Sequence, residues 1–306
     1  MTTGPGPTLD RAGVTLALSA YTIWGLAPLY FKALDFADAI EIVAHRVVWS
    51  VLLLFAVVSA RGLWGEVRAL GRNQLSWLAA SGALIACNWG IFIWALQADR
   101  LVEASLGYFI NPLVNALLGV LFLRERLSRS QQWALVAAAV GVANEVVAVG
   151  VVPWMGLSLA VTFGCYGLVR KQTPVDSAVG LGVETVLLLP LALAWLLFNL
   201  HAGTGTLAAG GRSELALLAL GGLVTVVPLM AFAGAARRLP LSSLGFFQYL
   251  APTLSLLLAV LVYGEPFRLQ QFVTFGAIWT GLVIFSIGAL YDQGRTRARP
   301  TGGDAR

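Results

Sequence analysis

The amino-acid sequence predicts an all-α integral membrane protein, with ten transmembrane helices arranged as two five-helix repeats of opposite orientation. Three observations carry that expectation. First, 58% of the 306 residues are hydrophobic and only 11% are charged, less than half the charged share of about a quarter found in soluble domains. Second, apolar runs of roughly 18–23 residues, the length that crosses about 30 Å of hydrocarbon, occur ten times. Third, the stretch Ser105–Gln131 is written again at Ser243–Gln271. SLGYF, Asn111-Pro112, Glu125 and Gln131 meet SLGFF, Ala251-Pro252, Glu265 and Gln271, and further on Gly141 meets Gly281. Extra residues around Gln248-Tyr249 absorb the only shift. The copies lie five runs apart, and an odd number of crossings turns the second upside down, the architecture of alternating-access carriers.

The runs of the first half are Gly13–Leu34, Glu41–Ala60, Leu75–Gln97, Val102–Leu123 and Gln131–Val149. Those of the second are Pro153–Lys171, Ser177–Asn199, Glu214–Arg237, Leu241–Gly264 and Gln270–Tyr291. In lipid only helices and closed barrels satisfy their own backbone, and long uninterrupted runs, without strand-like alternation, select helices. Residues 13–149 and 153–291 are therefore the two expected repeats. Residues 1–12 form a short N-terminus lacking a basic leader region, so run one is expected to stay as an anchor. Residues 292–306 read as a polar, arginine-rich, disordered tail near anionic headgroups.

The basic residues orient the chain. With the N-terminus inside, the cytoplasmic segments hold Arg11; Arg61, Arg68 and Arg72; Arg124, Arg126 and Arg129; Arg170 and Lys171; Arg237 and Arg238; and four tail arginines. The other side holds Lys32, Arg100, Arg212 and Arg268, and only Arg46 falls within a run. The positive-inside rule then places both termini in the cytoplasm. The glycine-bearing loop Leu200–Ser213 has no Gly-Lys-Ser/Thr ending and reads as a flexible external linker rather than a phosphate loop.

Several strings resemble a known family. YTIWGLAPLYFK (Tyr21–Lys32), EIVAHRVVWS (Glu41–Ser50), GYFINPLVN (Gly107–Asn115), Phe246-Phe247-Gln248-Tyr249 and Gly264-Glu265-Pro266 are similar to the RarD branch of the EamA family, in the drug/metabolite transporter superfamily. The resemblance spans essentially the whole chain. It implies two EamA repeats around a central substrate cavity, and transport of a small metabolite or drug.

Ionisable groups within a run cost at least about 2.5–3.5 kcal/mol on insertion scales, so each is a functional candidate by default. His45 and Arg46 sit near the outer end of run two, with Glu41 one turn earlier. Glu145 in run five lies at similar depth and is the expected partner of Arg46, as a gate, a substrate anchor or a lock on the bundle. Aligning Glu41 with Glu184 places leucines opposite His45 and Arg46, so the second half is expected to lack such a pair. Glu184, about 10 Å into run seven at 1.5 Å per residue, and His45 are candidate proton carriers. Nearer the midplane, Asn111 and Asn115 share a face with Tyr108, and Pro112 releases the Tyr108 carbonyl from its helical bond. Pro252 is expected to repeat that break beside Gln248 and Tyr249. These five polar side chains read either as substrate contacts or as bridges between helices, which in membranes contribute about 0.6 kcal/mol each. Trp24 and Trp49 can line a cavity or simply pack.

No Gly-x-Ser-x-Gly, His-Glu-x-x-His or metal-ligand spacing occurs. The two cysteines, Cys87 and Cys165, lie singly in apolar runs. Neither an enzyme nor a cofactor or metal is expected, and the net charge of +5 is spread over short loops rather than over a nucleic-acid-binding face. The expected partners are a small-molecule substrate and the bilayer, with the chain a monomer or homodimer. A carrier exporting a small polar or amphipathic metabolite fits these features. A structural or sensory membrane protein is the alternative.

Overall fold

The computed structural model describes residues 10–97, 101–150, 154–262 and 269–297, and among them it is helical without a strand. In chain order the helices are α1 (Arg11–Lys32), α2 (Ala39–Ala60), α3 (Trp64–Arg68), α4 (Arg72–Gln97), α5 (Leu101–Leu123), α6 (Arg129–Val149), α7 (Trp154–Gln172), α8 (Ser177–His201), α9 (Thr206–Ala209), α10 (Arg212–Arg238), α11 (Leu241–Gln248), α12 (Leu250–Leu261) and α13 (Leu269–Arg297). Among the described residues six stretches are long and apolar enough to cross a membrane: α1, α2, Arg72–Phe92 of α4, α8, α10 and Leu241–Leu258. Gly107–Leu123 and Phe272–Gly288 are shorter apolar helices. The Gly264-Glu265-Pro266 string, the first nine residues and the chain beyond Arg297 lie outside the described residues, as does the side chain of Glu145.

The helix starts follow from local chemistry. The first backbone N–H groups of a helix have no partner within it. Asp10 accepts from the N–H of Ala12 and Gly13 ahead of α1, and Asp38 from Glu41 N–H at 2.8 Å ahead of α2. Ser128 and Gln131 form a capping box at α6. That helix ends at Gly150, whose φ of 74° is a left-handed backbone that glycine adopts without a Cβ clash.

Two expectations about the second half are corrected. The loop after α8 is not a slack linker: it carries the short helix α9, and Thr206 N–H donates to the buried Glu41 carboxylate at 2.6 Å. A carboxylate in the apolar layer needs donors, and this one takes its donor from the loop. The shared prolines also act differently. Helix α5 runs on through Pro112, whereas the ninth run is split at Tyr249, between α11 and α12. The extra residues of the second copy fall there, and Tyr249 N–H turns to Phe246 O in a tight i→i−3 bond. Pro252 has no N–H to offer the Gln248 carbonyl, so the break costs no hydrogen bond at that step.

The main packing partners are α6 with α13, α5 with α7 and α11, α1 with α10 and α12, α2 with α8 and α10, and α4 with α7 and α8. Small residues set the closest approaches. A Cβ on Gly141 would stand 2.8 Å from Thr274 O, and one on Gly281 would stand 2.8 Å from Ala134 O. Gly25 similarly admits Leu254 of α12, and Gly164 admits Val114 of α5.

At the end of the bundle where α2, α7 and α10 finish and α8 begins, charges tie the helices together. Arg61 pairs with Asp176 through both nitrogens, at 3.1 and 3.2 Å. Arg237 donates to Val175 O and Ser177 Oγ, and Lys171 to the carbonyls of Ala236 and Leu239. Partial burial pushes the Asp176 carboxyl up, but Ala178 N–H and the Arg61 guanidinium outweigh it and hold the group below its ordinary value.

Replacing Gly281 by Val is expected to lower the midpoint of thermal unfolding in detergent, at the cost of about 1–3 kcal/mol typical of overpacking. Gly276→Ala on the same helix, where nothing lies within 4 Å of the added Cβ, leaves the midpoint unchanged or raises it. Asp176→Asn is expected to remove up to about 1 kcal/mol at neutral pH, since the pair is partly solvated. The depressed carboxyl stabilises the fold above its unfolded-state pKa, and that contribution fades as pH falls through its folded-state pKa. The wild-type and variant midpoints should therefore converge below about pH 4.

Candidate functional site

Arg46 of α2 is held by residues that are distant in sequence. Thr225 of α10 donates its hydroxyl proton to Gly221 O at 2.6 Å, which leaves its oxygen free to accept from Arg46 Nε at 2.8 Å. The guanidinium carbon lies 5.1 Å from the Trp89 ring centroid on α4 and 5.5 Å from that of Phe31 on α1, within cation–π range of both. Gly221 makes the approach possible, because a Cβ there would fall 2.9 Å from both Arg46 Cγ and Tyr30 Oη. Tyr30 donates to Leu217 O at 3.0 Å, so its phenol oxygen remains available to positive charge.

Tyr108 of α5 joins this group electrostatically. Its side chain is 47% exposed. Its ring meets Phe92 edge-on at 6.4 Å. Trp49, also partly exposed, packs its backbone against Gly222 of α10. Trp24 belongs to a dense aromatic cluster, its ring 5.5 Å from Tyr21 and 5.8 Å from both Phe163 and Phe232. Tyr166 stacks on Phe232 behind it.

The structure places the midplane amides between helices. Asn111 donates to Ala160 O on α7, and Asn115 donates to Asn111 Oδ1 at 2.9 Å and to Gln248 Oε1 at 3.2 Å. All three are buried. Tyr249 donates to Phe109 O at 3.2 Å. These residues come together across α5, α7, α11 and the α11–α12 break, beside Tyr108 in sequence but without an exposed face of their own.

His45 is buried with its Nε2 3.9 Å from Glu41 Oε1, too long for a hydrogen bond. The expected Arg46–Glu145 pair falls on a side chain outside the described residues; α6, which carries Glu145, packs chiefly on α13 and α5, and α2 on α8 and α10.

The expectation that the second half holds no buried charge pair is overturned by Glu184. Its carboxylate meets Ser81 Oγ at 2.5 Å, Arg170 Nη1 at 3.3 Å and Tyr166 Oη at 3.4 Å, with Arg170 and Glu184 each 1% exposed. Arg170 stands in the last turn of α7, which in sequence reads as a cytoplasmic charge, yet its side chain folds inward over Gly180. The sequence signal was Gly180 and Glu184, one turn apart on the same face of α8: a gap for a guanidinium followed by its counter-charge. Sequence reasoning also missed Tyr30, Phe31, Trp89 and Thr225, which reach Arg46 only through tertiary packing.

No group of three His, Cys, Asp or Glu side chains suited to a metal assembles among the described residues. What the Arg46 region offers is one fixed positive charge, hydroxyl groups and partly exposed aromatic faces, which suits binding rather than bond making.

Comparison with known proteins agrees with this character. The EamA-like transporter family matches residues 11–144. An uncharacterized transporter of Pseudomonas aeruginosa is 50% identical over 91% of this chain and 94% of its own length. Protein RarD of Escherichia coli is 45% identical over 94% and 97%. A solved crystal structure at 19% identity covers 90% of this chain and 98% of its own, with a TM-score of 0.69, and shares the fold. The chain is thus a bacterial-type membrane protein of the RarD branch of the EamA family of transporters.

Proposed function

We propose that this chain is a secondary transporter of the drug/metabolite class that exports a small polar or amphipathic compound by alternating access about a central cavity. In this reading ten helical crossings form two inverted five-helix repeats, residues 13–149 and 153–291, in the bacterial inner membrane with both termini in the cytoplasm. The arginine-rich ends of α2, α7 and α10 support that orientation.

One observation carries the reading: the helix packing is matched when the halves are exchanged. Counting α11 and α12 as one crossing, α5–α7 corresponds to α1–α12, α2–α10 to α4–α8, and α1–α10 to α4–α7, while α6–α13, α2–α8 and α5–α11 each map onto themselves. The glycine contacts obey the same exchange, Gly141 on Thr274 mirroring Gly281 on Ala134. A sequence that adopts two related packings in its halves can trade them between sides, which is the basis of alternating access in inverted-repeat carriers. The Arg46 cavity lies toward the outer side. The aromatic cluster around Trp24, the Arg170–Glu184 pair and the Arg61–Asp176 tie close the inner side, as expected of an outward-facing carrier. Asn111, Asn115, Gln248 and Tyr249 cross between the halves and are assigned to the moving contact rather than to the cavity wall. His45 and Glu184 remain the titratable groups through which a proton could couple.

Purified full-length protein should show a raised unfolding temperature with a subset of amino acids, nucleobases, vitamins or amphenicols, because a ligand bound to the native state stabilises it. Proteoliposomes loaded with the stabilising compound should release it faster than empty liposomes. Solute-independent leak for every stabilising compound would favour the sensory or structural alternative. Glu184→Gln is expected to destabilise the protein by about 3–5 kcal/mol, since it leaves the Arg170 guanidinium buried without a counter-charge. The double variant Arg170→Met/Glu184→Leu should recover most of that stability but not the flux. Recovery of both would reduce the pair to a structural role.

A further inference from the structure

The Arg46 guanidinium is short of partners. Its Nε is satisfied by Thr225, but the four N–H donors of its terminal nitrogens have no acceptor, carboxylate or other, among the described residues. The described carboxylates on α2, α8 and α10 and before α2 are committed elsewhere. Glu41 accepts from Thr206 N–H, Glu184 binds Ser81, Tyr166 and Arg170, Glu214 accepts from Gly211 N–H, and Asp38 caps α2. The aromatic faces of Trp89 and Phe31 attract the charge but supply no lone pair in the guanidinium plane. A positive group at membrane depth, its fork unfilled among the described residues and flanked by the partly exposed rings of Phe31 and Tyr108, is an arrangement completed by something from outside the chain.

The geometry points to a binding site for the carboxylate of a small monoanionic substrate, seated on the Arg46 fork with its apolar body between Trp89, Phe31 and Tyr108. The planar fork matches a carboxylate bidentately. The site holds a single cation, so a dianion such as a phosphate monoester would bring a second charge with nothing to compensate it in a low-dielectric cavity. The Tyr30 and Tyr108 phenols can turn hydroxyl or oxygen toward a polar substituent, and the aromatic walls favour a ring or short alkyl chain over a strongly hydrated body. This assignment rests on the transporter reading, which it deepens by naming the substrate's charged group.

The test uses full-length protein in detergent or nanodiscs, titrated calorimetrically with phenylacetate, 3-phenylpropionate and hexanoate, each against its amide, and with phenyl phosphate. At least one carboxylate should bind tenfold or more tightly than its amide and than phenyl phosphate. Arg46→Gln should bring carboxylate and amide to within twofold of one another, and Arg46→Lys should keep part of the preference. Thr225→Val leaves the charge in place but unties its orientation, and should weaken the carboxylate severalfold without affecting the amide; it serves should Arg46→Gln fail to fold. Equal binding of acid and amide, no binding of any probe, preference for phenyl phosphate, or an unchanged preference in both Arg46→Gln and Thr225→Val overturns the proposal. Flux in proteoliposomes separates the two claims. Transport confined to neutral or cationic solutes and indifferent to Arg46→Gln removes the carboxylate site and keeps the transporter, whereas Arg46-dependent carboxylate binding without any flux keeps the site and removes the transporter.

Discussion

Between the two membrane surfaces a polar group can bond only to protein or to cargo, and that constraint organises this molecule. The backbone meets it by crossing as helix. The side chains meet it by pairing across helices: Glu184 with Ser81, Tyr166 and Arg170; Glu41 with Thr206 N–H; Asn111 with Ala160 O; Asn115 with Gln248. Glu125 shows the same economy at a helix end. It accepts from Leu241 N–H and Ser242 N–H and from the Ser242 hydroxyl, placing a negative charge at the positive end of α11. Of the two arginines in this group of helices, Arg170 has a carboxylate beside it, whereas Arg46 has none among the described residues.

Close helix approach is the second requirement, because lipid-facing helices gain little from hydrophobic burial against one another. Gly25, Gly141, Gly164, Gly245 and Gly281 each bring a neighbouring helix to a distance that a Cβ would obstruct. Such contacts rest on shape rather than on long interlocking side chains. Surfaces of this kind can shift without breaking a hydrogen bond, whereas the Arg61–Asp176 and Arg170–Glu184 ties hold the helix ends on their side of the bundle by discrete bonds. Smooth contacts and a few discrete latches are a combination suited to two arrangements of one bundle.

Most of the architecture was legible in sequence because hydrophobicity, proline and arginine are read by the bilayer one segment at a time. Six stretches of the described chain are helices long and apolar enough to cross a membrane and two more are shorter apolar helices, and the motifs around Trp24, His45 and Asn111 carried the family. What resisted was whatever depends on the direction of a side chain. Arg170 looks cytoplasmic by position, but α7 presents it to Gly180 and Glu184. Arg46 seemed to require a carboxylate, and its described neighbours are Thr225, Trp89, Phe31 and Tyr30. The loop after α8 looked slack because its anchor, Glu41, lies on another helix. The split at Tyr249 was half visible, as the extra residues that the repeat could not absorb.

Arg170 and Arg46 differ in how their charge is met. Arg170 is buried with the Glu184 carboxylate at 3.3 Å, itself held by Ser81 and Tyr166, so its charge is answered within the protein. Arg46 is half-buried, with two aromatic faces and one hydroxyl. If both had been required only to hold helices together, the same solution would have served in each half. An internally neutralised pair is stable when the cavity is empty and has no affinity for an anion. A cation stabilised by ring faces and a single hydrogen bond is tolerable when empty and gains most when an anion arrives. That contrast is the argument for cargo at Arg46: at Arg170 the counter-charge is already in place, and at Arg46 none stands among the described residues.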